Sequence, residues 1–250
     1  MKEILKVNHL KKNYVTGSST TEAIRDISFS VKEGELIAIM GASGSGKTTL
    51  LNCISTIDMP SSGEIQIDGM EVQQFKESEM AKFRRERLGF IFQDFNLLDT
   101  LTIGENIALA LTINHVAQGV IKEKVKEIAE KLGILPILNK YPVEVSGGEK
   151  QRCACARAII NQPALILADE PTGSLDSGAS KALMESIQLM NEKMGSTILL
   201  VTHNIYVAVY AKRILFLKDG MLYKELYING RGTEEDLKNI IENITELEAK

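Results

Sequence analysis

Residues 41–48 read Gly41-Ala42-Ser43-Gly44-Ser45-Gly46-Lys47-Thr48, the spacing G-x-x-x-x-G-K-T, directly after the apolar run Leu36–Met40. The glycines let the backbone curl so that its N–H groups point inward, and the residues from Lys47 onward can start a helix. A strand that delivers such a loop to a helix makes an anion cradle, because the helix N-terminus carries roughly half a positive charge. Lys47 can then reach the terminal phosphates of a nucleoside triphosphate, and the Thr48 hydroxyl can ligate Mg²⁺. The expected fold is one in which a strand, this loop and a helix follow each other around a bound triphosphate.

The 250 residues suffice for one well-cored domain with a smaller attached lobe. Hydrophobic residues make up 44% and charged ones 25%, an ordinary soluble balance, and a net charge of −4 creates no general field for nucleic acid. Cys53, Cys153 and Cys155 form no C-x-x-C pair and have no His at ligand spacing, so buried or free thiols are expected. No apolar run approaches the ~20 residues a membrane-crossing helix needs. The start Met1-Lys2-Glu3-Ile4-Leu5 lacks the apolar core of a signal peptide. A cytoplasmic chain is expected, with any membrane role coming through a partner.

Short strand-like runs fall at 4–10, 23–31 and 36–40, with the Gly/Ser/Thr-rich stretch 17–21 reading as the loop between the first two. A helix over 47–55 follows, then the turn Pro60-Ser61-Ser62-Gly63 and a strand at 64–67. Residues 94–162 switch to helical periodicity, with Val125, Ile128, Ala129 and Leu132 on one apolar stripe, and read as an inserted helical subdomain. Strand signals return at 165–168, 197–202, 214–217 and 221–226, alternating with helices near 178–194 and 204–211, which implies an α/β parallel core. Thr233 followed by Glu234, Glu235 and Asp236 marks a last helix start. Its stripe Leu237, Ile240, Ile241, Ile244 and Leu247 is expected to pack on the parent domain.

The run 165–168 ends in Asp169-Glu170. An acid at a strand's C-terminal end can hold the water shell of Mg²⁺, which suits Asp169, while Glu170 can orient or deprotonate an attacking water. His203 follows another strand directly, and Gln93 ends the apolar run Leu88–Phe92. Strand C-termini are where α/β sheets collect ligand groups, so these four polar residues are expected to form one site. Val145-Ser146-Gly147-Gly148-Glu149 stands directly before a helical run and makes a second helix-N-terminus anion site. One chain with one phosphate loop does not need two, so this turn is expected to cap the nucleotide held by another copy.

With these residues assembled, the chain resembles an ATP-binding-cassette (ABC) ATPase over nearly its whole length. Residues 41–49, ending in Thr49, correspond to Walker A, and 165–170 to Walker B with Glu170 as its catalytic glutamate. Gln93 matches the Q-loop and 145–149 the signature motif; Ser174-Leu175-Asp176 matches the D-loop, His203 the switch histidine, and Tyr14 the aromatic that stacks on adenine. The signature's usual leading Leu is Val145 and its usual closing Gln is Glu149, whose negative charge near phosphate is expected to weaken nucleotide affinity. The resemblance implies an α/β P-loop NTPase of ABC type, with a mixed sheet core, an N-terminal antiparallel β subdomain and an inserted α-helical subdomain. Its expected bounds are 1–93 with 163–232 for core and β subdomain, 94–162 for the helical subdomain, and 233–250 for the last helix. It also implies hydrolysis of ATP with Mg²⁺ held by Thr48, Gln93 and Asp169, catalysis by Lys47, Glu170 and His203, and a homodimer sandwiching two ATP between 41–48 of one copy and Ser146-Gly147-Gly148 of the other.

Residues 40–52 and 90–102 resemble the branch containing the macrolide-exporter (MacB) and lipoprotein-release (LolD) ATPases, and within it the Bce-type ATPases of Gram-positive bacteria. Those serve bacitracin and lantibiotic resistance with a large permease that often signals to a sensor kinase. The resemblance therefore implies a subunit peripheral on the membrane's inner face, powering a permease and binding no nucleic acid; lipoprotein release or macrolide export is the alternative. A soluble ABC ATPase of DNA repair or ribosomes would carry a second cassette, long inserts, zinc cysteines or basic arms. A GTP-binding switch fails because Asn139-Lys140-Tyr141-Pro142 has Pro where the guanine-reading Asp must stand.

Overall fold

In the computed structural model, which describes residues 2–17, 19–229 and 232–248, the continuous apolar runs become strands buried on both faces. The strands are β1 (Glu3–Thr16), β2 (Ser19–Lys32), β3 (Leu36–Met40), β4 (Ser62–Ile67), β5 (Met70–Glu71), β6 (Leu88–Phe92), β7 (Leu165–Asp169), β8 (Ile198–Val201), β9 (Arg213–Lys218) and β10 (Met221–Tyr227). The helices are α1 (Lys47–Ile54), α2 (Glu77–Arg87), α3 (Ile103–Ile113), α4 (Gln118–Lys131), α5 (Gly147–Ile159), α6 (Ser177–Glu192), α7 (Ile205–Ala208) and α8 (Glu234–Glu248). They divide between two compact units, Met1–Met80 with Thr197–Lys250, and Ala81–Ser196.

In the first unit the strand order is β5-β4-β1-β2-β10-β9-β3-β8. β3 is buried at all five positions and β8 at all four, and both β8 and β9 pair with β3 in parallel. β1 pairs antiparallel with both β2 and β4, so parallel and antiparallel ladders coexist, as the expected mixed sheet requires. The β1–β2 hairpin is longer than its apolar runs. Tyr14, Val15 and Thr16 pair with Thr21, Thr20 and Ser19, so the expected loop over 17–21 is strand from residue 19 onward, while Ser18 lies outside the described residues. This end is exposed on both faces, so no hydrophobic alternation marks it, and β-branched residues and the backbone ladder carry it.

Two helices here correct the sequence reading. The helix expected over 204–211 is only the four residues of α7: after Val209 N–H donates to Ile205, Tyr210 and Ala211 turn to i−3 carbonyls and tighten the chain out of α geometry. In α8, Ile240 and Leu247 are buried as expected, but Ile241 is 48% exposed. The packed face runs through Asp236, Ile240, Asn243 and Leu247, all under 10% exposed, and one residue further on a helix points about 100° away. Asp236 is held by its neighbours: its Oδ1 accepts from Asn229 N–H at 3.2 Å, and its own N–H donates to Thr233 Oγ1 at 3.1 Å. Lys218 Nζ donates to Leu247 O at 2.7 Å, a cation on the helix's C-terminal carbonyls.

In the second unit β6 and β7 pair in parallel, from Leu88 opposite Leu165 to Phe92 opposite Asp169. The stripe Val125, Ile128, Ala129 and Leu132 is buried along α4 and just beyond it. Cys53, Cys153 and Cys155 are buried free thiols. Burial pushes Cys153 and Cys155 up to about 12, and Cys53 up to about 11, so none is primed as a thiolate. No described helix is long and apolar enough to cross a membrane.

A fully buried Asn106 pins the segment before α3. Its Oδ1 accepts from Leu98 N–H at 2.8 Å, and its Nδ2 lies within 3.0 Å of the Leu98, Leu101 and Thr102 carbonyls. Asn106→Ala is expected to destabilise the fold by about 2–3 kcal/mol, since it strands several buried backbone groups at once; urea unfolding followed by circular dichroism reads the loss.

Candidate functional site

In the first unit the phosphate loop begins where β3 ends. Gly46 precedes α1 at φ +100°, and a Cβ there would come within 2.7 Å of Ala23 O on β2, so only glycine satisfies both the backbone and the space. The curl buries Ser45 and Lys47 to 5% and 8% exposure. Lys47 Nζ donates to Gly41 O and Ala42 O, both at 2.8 Å, so the loop's own carbonyls hold the ammonium inside the cradle. Thr48 sits exposed in the first turn of α1. His203 leaves the same sheet edge as the loop, because Val201 pairs with Ile39 and Thr202 N–H donates to Ile39 O at 3.1 Å. Tyr14 is 40% exposed near the hairpin end, its hydroxyl donating to Asp58 Oδ2 at 2.7 Å.

In the second unit the parallel register of β6 and β7 sends Gln93 and Glu170 off one edge, each one residue past its strand. Glu170 adopts φ +44°, a left-handed conformation costly for a side-chain-bearing residue, and Gly173 N–H closes the turn onto Glu170 O at 3.0 Å. Ser174 Oγ donates to Gln93 O at 2.9 Å. A Cβ on Gly173 would lie 2.8 Å from Gln93 Cδ, so this glycine makes room for the Gln93 side chain. Asp176 caps α6, its Oδ1 accepting from Ala179 N–H at 2.9 Å. A Cβ on Gly147 would meet Leu175 Cδ2 at 3.3 Å and Phe95 Cζ at 3.8 Å, which places residues 93–96, 146–149 and 173–176 beside one another.

The turn before α5 is a capping box. Ser146 Oγ accepts from Glu149 N–H at 3.3 Å, while the Glu149 carboxylate accepts from Ser146 N–H and from its hydroxyl, both at 2.8 Å. These bonds from the Ser146 backbone and side chain hold the Glu149 carboxyl below its ordinary range. The Glu149 carboxylate is thus engaged by Ser146 within its own turn.

Two residues of α5 organise this unit and were not among the expected site residues. Gln151 is fully buried, and its Nε2 donates to Phe92 O at 3.1 Å and Pro171 O at 2.8 Å, tying the ends of β6 and β7 to the helix. Arg157 Nη2 donates to Phe95 O at 2.8 Å and Nη1 to Asn96 O. Phe95 and Asn96 both have positive φ, at +60° and +49°, so the guanidinium fork holds a strained two-residue turn. A signal for Gln151 exists in the sequence: it interrupts the small-residue stripe Ala154, Cys155 and Ala158, where a polar residue has to find buried partners.

Arg157→Ala is expected to destabilise the protein by about 2 kcal/mol and to speed proteolytic nicking at 94–102, because two carbonyls lose a charged donor. Glu149→Ala is expected to lose about 0.5 kcal/mol at pH 7, the scale of an exposed cap. Because the folded carboxyl sits below its ordinary 4.5, that contribution is present above pH 4.5 and lost as pH falls through the folded value. The difference between parent and variant in urea midpoints should therefore shrink in acid and persist to neutral pH.

The site's motifs agree with what the whole chain resembles. Residues 24–173 match the family model described as ABC transporter. The chain is 55% identical over 227 residues to "ABC transporter ATP-binding protein YxdL" of Bacillus subtilis (strain 168), covering 91% of this chain and 88% of that one. It is 47% identical over 238 residues to "Bacitracin export ATP-binding protein BceA" of Halalkalibacterium halodurans, covering 95% and 94%. Its fold superposes with a TM-score of 0.81, at 37% identity and covering 91% of this chain and 100% of that one, on the dimeric post-hydrolysis state of the ATP-binding cassette MJ0796 of Methanocaldococcus jannaschii, bound to ADP and Pi. A chain with a phosphate loop, an Asp-Glu strand end and a Ser-Gly-Gly helix cap in these positions belongs to the ABC transporter family, as its ATP-binding and ATP-hydrolysing subunit.

Proposed function

We propose that two copies of this chain clasp two ATP molecules and drive a membrane permease that confers resistance to, or senses, peptide antibiotics of the bacitracin and lantibiotic class. The observation that carries the substrate class is the likeness, at 47% identity over 95% of the chain, to a protein named for bacitracin export. The dimer draws support from the resemblance of the Ser-Gly-Gly turn at the capped N-terminus of α5 to the family's signature motif, and from the dimeric state of the MJ0796 cassette.

In this reading Tyr14 stacks on adenine, and residues 41–49 with Lys47 hold the phosphates. Glu170 activates the attacking water, His203 is the switch beside the terminal phosphate, and Ser174, Leu175 and Asp176 line the seam between copies. Ser146, Gly147 and Gly148 close over the other copy's triphosphate. Thr48, Gln93 and Asp169 offer oxygen donors only, which suits a hard cation such as Mg²⁺. Among the described residues no three His, Cys, Asp or Glu side chains gather as a metal-binding group, so Mg²⁺ would take its remaining ligands from phosphate and water. The permease's cytoplasmic helices meet the segment after Gln93, where Leu98 is 47% exposed and Phe95, Leu97 and Leu101 are half-buried. A sensor kinase reached through the permease belongs to the same reading and rests on the family resemblance alone.

Glu170→Gln is expected to retain ATP binding, to stop turnover by a factor of about 10² or more, and to trap a dimer on size exclusion. Hydrolysis at the parent rate would remove Glu170 from its role. Mixing Ser146→Arg with Lys47→Ala chains should leave at most one working site per dimer, and two intact sites would refute the shared site. Co-expression with a Bce-type permease in a sensitive host should raise the bacitracin or lantibiotic concentration needed to stop growth. An unchanged threshold for both compounds would overturn the substrate class.

A further inference from the structure

Lys12 is 9% exposed, and a lysine so enclosed needs partners for its charge. It finds them in the turn after α1: Nζ donates to Asp58 Oδ1 at 2.6 Å and to Met59 O at 2.7 Å. The same ammonium lies 4.8 Å from the centroid of the Tyr14 ring, over its face. The other carboxylate oxygen, Oδ2, accepts the Tyr14 hydroxyl at 2.7 Å. One carboxylate thus serves a cation on the ring's face and the hydroxyl at its tip.

We propose that Lys12 and Asp58 form a clamp that fixes the Tyr14 ring as the platform for the purine of the bound nucleotide. The inference rests on the reading of Tyr14 as the adenine-stacking residue. A tyrosine near the end of an exposed hairpin has little packing of its own to hold it, and Tyr14 is 40% exposed with its neighbour Val15 at 72%. Two constraints replace that packing. The hydroxyl bond to Asp58 sets where the ring's long axis points, and the ammonium against one face sets its tilt. With that face taken by Lys12, the purine stacks on the opposite one.

The anchor is itself rigid. Asp58 N–H donates to Asn52 O of α1 at 3.1 Å, and Asp58 Oδ1 accepts from Met59 N–H at 2.8 Å. The ring is therefore tied, through Asp58 and Asn52, to the helix that begins at the phosphate loop. Pre-organising an aromatic face in this way spares the nucleotide the cost of ordering it on binding. Lys12 and Asp58 act through Tyr14 and are positioning residues, not catalytic ones.

The test separates base binding from phosphate binding by titrating the full chain with ADP and, separately, with inorganic pyrophosphate in a calorimeter. Tyr14→Ala is expected to weaken ADP roughly 10- to 100-fold, the range for one lost base stack, and to leave pyrophosphate unchanged. Asp58→Asn, Lys12→Met and the milder Tyr14→Phe should each weaken ADP about three- to tenfold, again without touching pyrophosphate. Adding Asp58→Asn to Tyr14→Ala should cost ADP nothing further, since the clamp acts only through the ring. If Tyr14→Ala weakens ADP while the Lys12, Asp58 and Phe variants match the parent, the clamp is refuted and the stacking reading survives. If Tyr14→Ala leaves ADP unchanged, the stacking reading falls and the clamp with it. Equal losses for ADP and pyrophosphate would show that the variants damage the phosphate loop, which also overturns the clamp.

Discussion

Strand β3 is buried at every residue and flanked in parallel by β8 and β9, so its C-terminal end is a fixed point from which the chain must turn. The turn has little room. A carbonyl of β2 stands 2.7 Å from where a Gly46 side chain would begin, and α1 starts immediately afterwards. Parallel pairing and close backbone approach together leave a curled loop whose Gly41 and Ala42 carbonyls hold the Lys47 ammonium, with His203 leaving the neighbouring strand at the same edge. The phosphate cradle follows from a sheet that cannot shift register without exposing a wholly apolar strand.

In the second unit one helix does the corresponding organisation. The N-terminus of α5 is closed by Ser146 and Glu149, Gln151 bonds the last residue of β6 and the chain just past β7, and Arg157 clamps the left-handed pair Phe95 and Asn96. Gln151 Nε2 and the Arg157 guanidinium satisfy carbonyls that the backbone there would otherwise leave unpaired, while Ser146 and Glu149 satisfy each other. The strain at Phe95, Asn96 and Glu170 sits at the segments expected to carry function.

Much of this was legible in the residues. Leu36–Met40 reads as a buried strand and is one, because an unbroken apolar run of five bounded by a Gly-rich loop has few other solutions. The α4 stripe and the start of α8 follow from helical period and capping chemistry, both local properties of the chain, whereas α5 begins at Gly147, three residues before the helical run expected from Lys150, because Ser146 caps it. Helix α2 gave no such signal. Only Phe83 is buried along Glu77–Arg87, and what shows its ends is charge, acids in the first turn and arginines in the last. The exposed end of the β1–β2 hairpin was illegible for the same reason, since periodicity records burial and these residues have none.

The sequence by itself determined the phosphate loop, the acidic strand end, the capped signature turn and the family they belong to, because each is a short pattern whose chemistry depends on spacing along the chain. Only the tertiary structure decided which face α8 buries, that Glu149 spends its charge on Ser146, and that Lys12 meets Tyr14 and Asp58. It alone decided that Gln151 and Arg157 hold loops 59 and 62 residues away in sequence. Most of those pairings join residues far apart along the chain, and a polar side chain carries no local mark of a distant partner until folding removes the water that would otherwise have served it.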